Sequence, residues 1–141
     1  MAEVIHLLGD TIRVLAGTND SNGQLTVIEV TSPPGGGPPL HTHPQTEVFL
    51  VLDGELEIEA DGVVRTLQAG EAATAPSDVP HTYRNASDAK ARFIVSIAPA
   101  GMERFFVELA AATAEGPPDM VHVAEIATSY GMRFVGAPAP A

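Results

Sequence analysis

His41, His43 and Glu47 are the residues whose types and spacing most directly suggest chemistry in this chain. Side chains alternate between the two faces of an extended backbone, so positions i, i+2 and i+6 share a face. Two imidazoles and a carboxylate gathered that way offer three nitrogen or oxygen donors to one ion. The sequence contains no cysteine, which removes thiolate zinc and iron–sulfur chemistry and leaves imidazole, carboxylate and water as ligands. A fourth imidazole has to come from elsewhere. His81 is the natural candidate, because it follows the turn-rich Pro76-Ser77-Asp78-Val79-Pro80 and opens the extended stretch His81-Thr82-Tyr83-Arg84-Asn85. The bland alternative is a set of solvated loop histidines, the commoner state of any lone histidine in an acidic protein. Buried in an apolar barrel without an ion, these groups would go unsatisfied at about 1–3 kcal/mol each.

The elements that must position them read as strands. Thr11 to Ala16, Gln24 to Val30, Glu47 to Leu52, Glu55 to Ala60 and Phe93 to Ile97 are β-branched or aliphatic runs separated by Gly, Pro, Asn and Asp, the rhythm of a sandwich or barrel. Asp61-Gly62 is a two-residue type I′ turn signal. It joins Glu55–Ala60, in which Leu56, Ile58 and Ala60 alternate with three glutamates, to a return strand that sets Arg65 opposite Ile58 on the apolar side. Either that hairpin is twisted at its end or the register differs. Beyond Pro99 the period turns helical: Met102, Phe105, Phe106 and Leu109 form one face up to Gly116-Pro117-Pro118. A second helix is expected with Asp119 as N-cap, Val123, Ala127 and Tyr130 on one face, and Gly131 at its stop. The helical part, about 101–131, is too short for a core of its own and is expected to cover an open side of the barrel or an oligomer seam. Gly136 to Ala141 reads as a loose tail.

One domain spanning 1–141 fits a length of 141 residues. Eighteen acidic against seven basic residues give a net charge of −11, which repels phosphate backbones and anionic membranes, so neither nucleic acid nor membrane is an expected partner. The start lacks the positive charge and apolar run of a secretory signal, and no run of about 18 apolar residues occurs; a cytoplasmic protein is expected. Gly35-Gly36-Gly37 lacks the Lys-Ser/Thr of a phosphate loop and reads as a flexible lead into the His41 strand. His6 and His122 have no partners at ligand spacing, and Glu55, Glu57 and Glu59 read as a solvated strand face.

Two motifs then stand out. Gly35, His41, His43, Glu47 and Gly54 match G-x5-H-x-H-x3-E-x6-G at every spacing, and Gly70, Pro76, His81 and Asn85 match G-x5-P-x-G-x2-H-x3-N. In these the chain resembles a single-domain cupin, with the first motif over 35–54 and the second over 70–85. Asp78 stands where the second motif has glycine; Asp tolerates a left-handed backbone, so the turn is expected to survive. The resemblance implies an all-β jelly-roll barrel with C-terminal helices. It also implies His41, His43, Glu47 and His81 as ligands of one divalent transition-metal ion (Fe, Mn, Ni, Co, Cu or Zn), and a homodimer with N-terminal strands across the seam.

Phe49, Val51 and Tyr83 share parity with the ligands and could line an apolar substrate pocket, with Gln45 and Asn85 as hydrogen-bonding groups. Four protein ligands on an ion that prefers six leave room for chemistry. By similarity to small quercetinase-like cupins, the first expectation is a dioxygenase acting on a hydrophobic enol or phenol, with Glu47 as catalytic general base. Redox-neutral isomerisation, cyclisation, decarboxylation or hydrolysis comes second, and non-catalytic binding of a small molecule third.

Overall fold

The computed structural model of the protein describes residues 3–117 and 119–136. The strands are β1 (Val4–Leu7), β2 (Asp10–Ala16), β3 (Thr26–Ser32), β4 (His41–Thr42), β5 (Thr46–Asp53), β6 (Glu55–Ala60), β7 (Val63–Gln68), β8 (Ala72–Ala75), β9 (His81–Arg84), β10 (Ala91–Ala98) and β11 (Arg133–Phe134). Helices α1 (Met102–Thr113) and α2 (Met120–Ser129) precede the last strand. The strands form two antiparallel sheets, a six-stranded one ordered β1-β2-β3-β10-β5-β8 and a five-stranded one ordered β11-β4-β9-β6-β7. Facing each other, they make the sandwich that the alternating runs imply and the jelly roll that the motif resemblance implies.

Alternation explains the core. On β3, Thr26, Ile28, Val30 and Ser32 point inward, and on β10 so do Ala91, Phe93, Val95 and Ile97. Cross-strand register stacks them in layers: Ile97 lies beside Thr26 and Glu47, Val95 beside Ile28 and Phe49, Phe93 beside Val30 and Val51. Leu56, Ile58 and Leu67 answer from the five-stranded sheet. The β6–β7 register is Ile58 opposite Arg65, as the turn chemistry requires, and Asp61 and Gly62 both have positive φ (52° and 78°). Arg65 stays exposed on β7, an edge strand whose one buried residue is Leu67.

Helix α2 starts at Asp119, whose carboxylate accepts the Val121 N–H at 3.0 Å. Met102, Phe105 and Leu109 of α1 and Val123, Ile126 and Ala127 of α2 are buried, so the helices close the open side of the sandwich. After Gly131 the chain turns back, and β11 pairs with β4, Phe134 opposite His41. A two-residue strand has no period, so the sequence offered no sign of it. The tail from residue 137 lies outside the described residues.

Helix α1 is tied down by its own second residue. Glu103 Oε2 accepts the Thr18 N–H at 2.6 Å and the Thr18 hydroxyl at 2.7 Å, while Oε1 accepts the Thr26 hydroxyl at 2.7 Å. Burial alone would raise its pKa, but these hydrogen bonds outweigh it and hold the carboxyl below its ordinary value. A carboxylate with a depressed folded-state pKa contributes stability above its unfolded pKa that is lost as pH falls through the folded one. Glu103→Gln is expected to lower stability at pH 7 by about 2 kcal/mol, about 5–8 °C in Tm. The gap to wild type should close on acidification; a pH-independent gap in thermal melts would refute the assignment.

Candidate metal centre

The four candidate ligand residues do not lie on one strand. His41 is on β4, in the five-stranded sheet, directly opposite His81 on β9. Glu47 is on β5, in the six-stranded sheet, and the chain crosses between the sheets through His43-Pro44-Gln45. Parity brings the side chains to the interior, but from two facing sheets rather than one continuous face. All four are buried, and one donor atom of each lies within 4.8 Å of the others.

Local chemistry aims them. Each imidazole places Nδ1 against a backbone carbonyl two residues away: His41 on Pro39 at 2.8 Å, His43 on Gln45 at 3.1 Å, His81 on Val79 at 2.8 Å. An Nδ1–H donating to a carbonyl leaves Nε2 facing the interior, the orientation that metal-binding histidines use. The Asp78 turn supports this arrangement. Asp78 takes the left-handed φ of 62°, as expected of the residue replacing glycine, and its N–H donates to the His43 carbonyl at 2.9 Å.

The cluster is electrically unusual for a protein interior. Glu47 Oε2 lies 2.8 Å from His81 Nε2 and 3.6 Å from His43 Nε2. Burial would raise the Glu47 pKa, but the adjacent His43 and His81 imidazoles, the latter within hydrogen-bond distance, outweigh it and bring it to about 2. Burial, followed by the neighbouring His81 charge, lowers His41 to about 4. His81 is itself raised: burial opposes its charge, but Glu47 more than compensates. His43 Nε2 is buried with no hydrogen-bond partner. Such an orphan, beside a carboxylate and two further Nε2 atoms, is what a cation would satisfy. Two ligand bonds of about 2.0–2.2 Å each can span the 2.8 Å and 3.6 Å separations of Glu47 from His81 and His43. The residues present fit a divalent transition-metal ion.

A cavity of about 190 Å³ adjoins the cluster. Phe49 and Tyr83 line it, together with Met102 and Phe105 of α1. Val51 does not: one layer deeper, beside Phe93, it is ordinary core. Asn85 is a pin within its own turn, donating to the Ser32 and Ala89 carbonyls and accepting from Ser87, and is no pocket group. Gln45 is absent from the cavity wall and serves the site through its backbone carbonyl on His43. The glycine run is not a flexible lead. Gly35 and Gly36 exchange backbone hydrogen bonds with Asn85, and a Cβ on Gly37 would fall on the Tyr83 carbonyl oxygen. Parity with Ile12 could have flagged one residue that sequence reasoning missed: Asp10, polar at an inward position of β2, lines the same cavity.

Fold and site together define a jelly-roll domain with a buried cluster of three histidines and one carboxylate. The family model described as "Cupin domain" matches residues 28–97, and the chain is a cupin. It is 36% identical over 81 residues to quercetin 2,3-dioxygenase of Bacillus subtilis, covering 56% of this chain and 24% of that one. The chain spans less than half the length of the curated relatives it matches. Among solved structures, an RmlC-like cupin from Shewanella frigidimarina shares the fold (TM-score 0.65, 23% identity, 74% of this chain and 89% of that one). The polyketide cyclase RemF from Streptomyces resistomycificus aligns with TM-score 0.59 and 25% identity over 70% of this chain and 72% of that one. Among the described residues no helix is long and apolar enough to cross a membrane.

Proposed function

We propose that this cupin is a metal-dependent dioxygenase acting on a small hydrophobic or aromatic enol or phenol. The observation that carries the reading is the meeting of three preoriented Nε2 atoms and a carboxylate with an apolar cavity in one wall. A bound Fe, Mn, Ni, Co, Cu or Zn ion would supply Lewis acidity and, for a redox-active ion, reactivity toward oxygen. The chain's part is to orient and to exclude water. Phe49, Tyr83, Met102 and Phe105 hold an aromatic ring against the cluster, and a Glu47 carboxylate oxygen is placed to take the enol or phenol proton. Partial identity to quercetin 2,3-dioxygenase supports the choice of reaction.

The test is metal analysis of untagged protein, then oxygen-electrode assays with a flavonol. Oxygen uptake that depends on both metal and substrate is expected. Metal without uptake would favour redox-neutral chemistry such as cyclisation, a reading supported by RemF, which aligns over most of both chains. Ligand binding by protein that holds no metal after reconstitution would indicate a binding module.

A cytoplasmic homodimer is part of the same proposal. Strand β1 pairs with β2 of its own chain, and Val48 and Leu50 stand exposed on the outer face of β5. Light scattering is expected to give twice the 14.7 kDa chain mass; the mass of one chain would refute the dimer.

A further inference from the structure

The cavity contains a polar group that the metal-centre reading does not use. Asp10, at the start of β2, is buried, and its Oδ1 accepts the Ser32 hydroxyl at 2.6 Å while Oδ2 accepts the Tyr83 hydroxyl. Tyr83 stands two residues beyond His81 on β9, its ring packed edge-on against Phe93 at 5.0 Å. On β3, Thr26 is level with Glu47 through Ile97, whereas Ser32 is about 20 Å further along the strand. Asp10 and the donor cluster therefore mark different depths of one cavity that both line.

The chemistry of this second depth is selective. No Lys or Arg lines the cavity among the described residues, so any positive charge in it belongs to the histidine cluster and not to the Ser32 and Tyr83 side chains that hold the Asp10 carboxylate. A carboxylate has about four acceptor positions, and Ser32 and Tyr83 fill two of them. Burial raises the Asp10 pKa against the lowering effect of Ser32 and Tyr83, so its charge is incompletely compensated and a further donor would be favoured. A hydroxyl on a bound molecule is such a donor. A carboxylate or phosphate there would meet like charge with no cation to offset it.

We propose that Asp10, held by Ser32 and Tyr83, is a specificity-determining anchor for a hydroxyl of a neutral aromatic substrate whose other end faces His41, His43, Glu47 and His81. This rests on the reading of the cavity as the substrate site. It narrows the substrate class to hydroxylated, uncharged aromatics and disfavours carboxylic acids at that depth. Ser32 and Tyr83 act as positioning residues, keeping both carboxylate oxygens in place.

The experiment uses two probes of nearly equal shape, 2-naphthol and naphthalene, titrated by ligand-detected NMR into metal-loaded protein. Wild type is expected to bind 2-naphthol about 10- to 100-fold tighter, the worth of a hydrogen bond to a charged group. Asp10→Ala should erase that preference while leaving naphthalene affinity and metal content unchanged. Asp10→Asn, which keeps the shape and one acceptor, should reduce it to a few-fold and covers the case in which the alanine variant does not fold. Ser32→Ala, which releases Oδ1, should reduce it part-way, and full retention would remove Ser32 from the positioning role. Equal binding of the two probes by wild type, no binding of either, or a preference that survives both Asp10 variants would overturn the anchor. Oxygen uptake is scored separately, so a failed dioxygenase reading leaves this result interpretable.

Discussion

Protein carrying His81→Ala is expected to retain less than about a tenth of the metal held by wild type, against about one equivalent per chain in the latter. His81 supplies the Nε2 atom closest to Glu47 and sits directly across from His41, so its removal opens the cluster on the β9 side. The variant should also be less stable without metal. Glu47 would keep only the more distant His43, and a buried charge stripped of its partner costs about 3–5 kcal/mol. The pH dependence follows by sign. Glu47 is depressed to about 2 and His41 to about 4. Each contributes stability that is complete above its unfolded pKa and lost as pH falls through the folded value. Wild-type protein freed of metal should therefore weaken progressively from about pH 6.5 downward, and the His81→Ala variant should unfold at a higher pH than wild type. A chelator should lower the wild-type Tm and leave that of the variant unchanged, because ligand that binds only the folded state stabilises by mass action. Plasma mass spectrometry and thermal melts across pH test this together. Equal metal content in the two proteins would remove His81 from the site.

The second large effect is expected at Gly37. Its φ of 140° is a conformation that side chains rarely adopt, and an added Cβ would fall on the Tyr83 carbonyl oxygen and 3.1 Å from the Arg84 Cα. Backbone strain of that kind costs about 1–3 kcal/mol alone. The neighbour here is backbone of β9, which cannot yield without moving Tyr83 and, two residues back, His81. Gly37→Ala is expected to destabilise by at least about 3 kcal/mol and to lower Tm by more than about 10 °C, with reduced metal content as the site-specific consequence. Gly62→Ala is the comparison. It also has positive φ (78°) but meets nothing within 4 Å, so it should cost about 1 kcal/mol and leave metal binding intact. Similar losses in both variants would mean that strain, and not the approach of Gly37 to β9, dominates.

Much of this was legible in the residues. The β6–β7 hairpin follows from Asp61-Gly62 and strict alternation, α1 from the spacing of Met102, Phe105 and Leu109, and the start of α2 from Asp119. These are local signals, each decided within one or two turns of chain. The two motif frames, Gly35 to Gly54 and Gly70 to Asn85, marked the donor residues, because imidazole and carboxylate at those spacings can share an interior and little else in the chain offers metal chemistry.

By itself, then, the sequence determined which side chains face inward, which of them can bind a cation, and where turns demand left-handed backbone, as at Asp78. Only the tertiary structure decided that His41 and Glu47 belong to opposite sheets, and that Val51 is core while Phe49 lines the cavity. It also decided that the glycines before His41 are a close approach to β9, and that Asp10 shares a cavity with the donor cluster. The physical reason is the period of the strand. A two-residue repeat specifies a face but neither which sheet carries it nor how deep along the barrel a residue sits; long-range pairing sets both, and no local pattern encodes it.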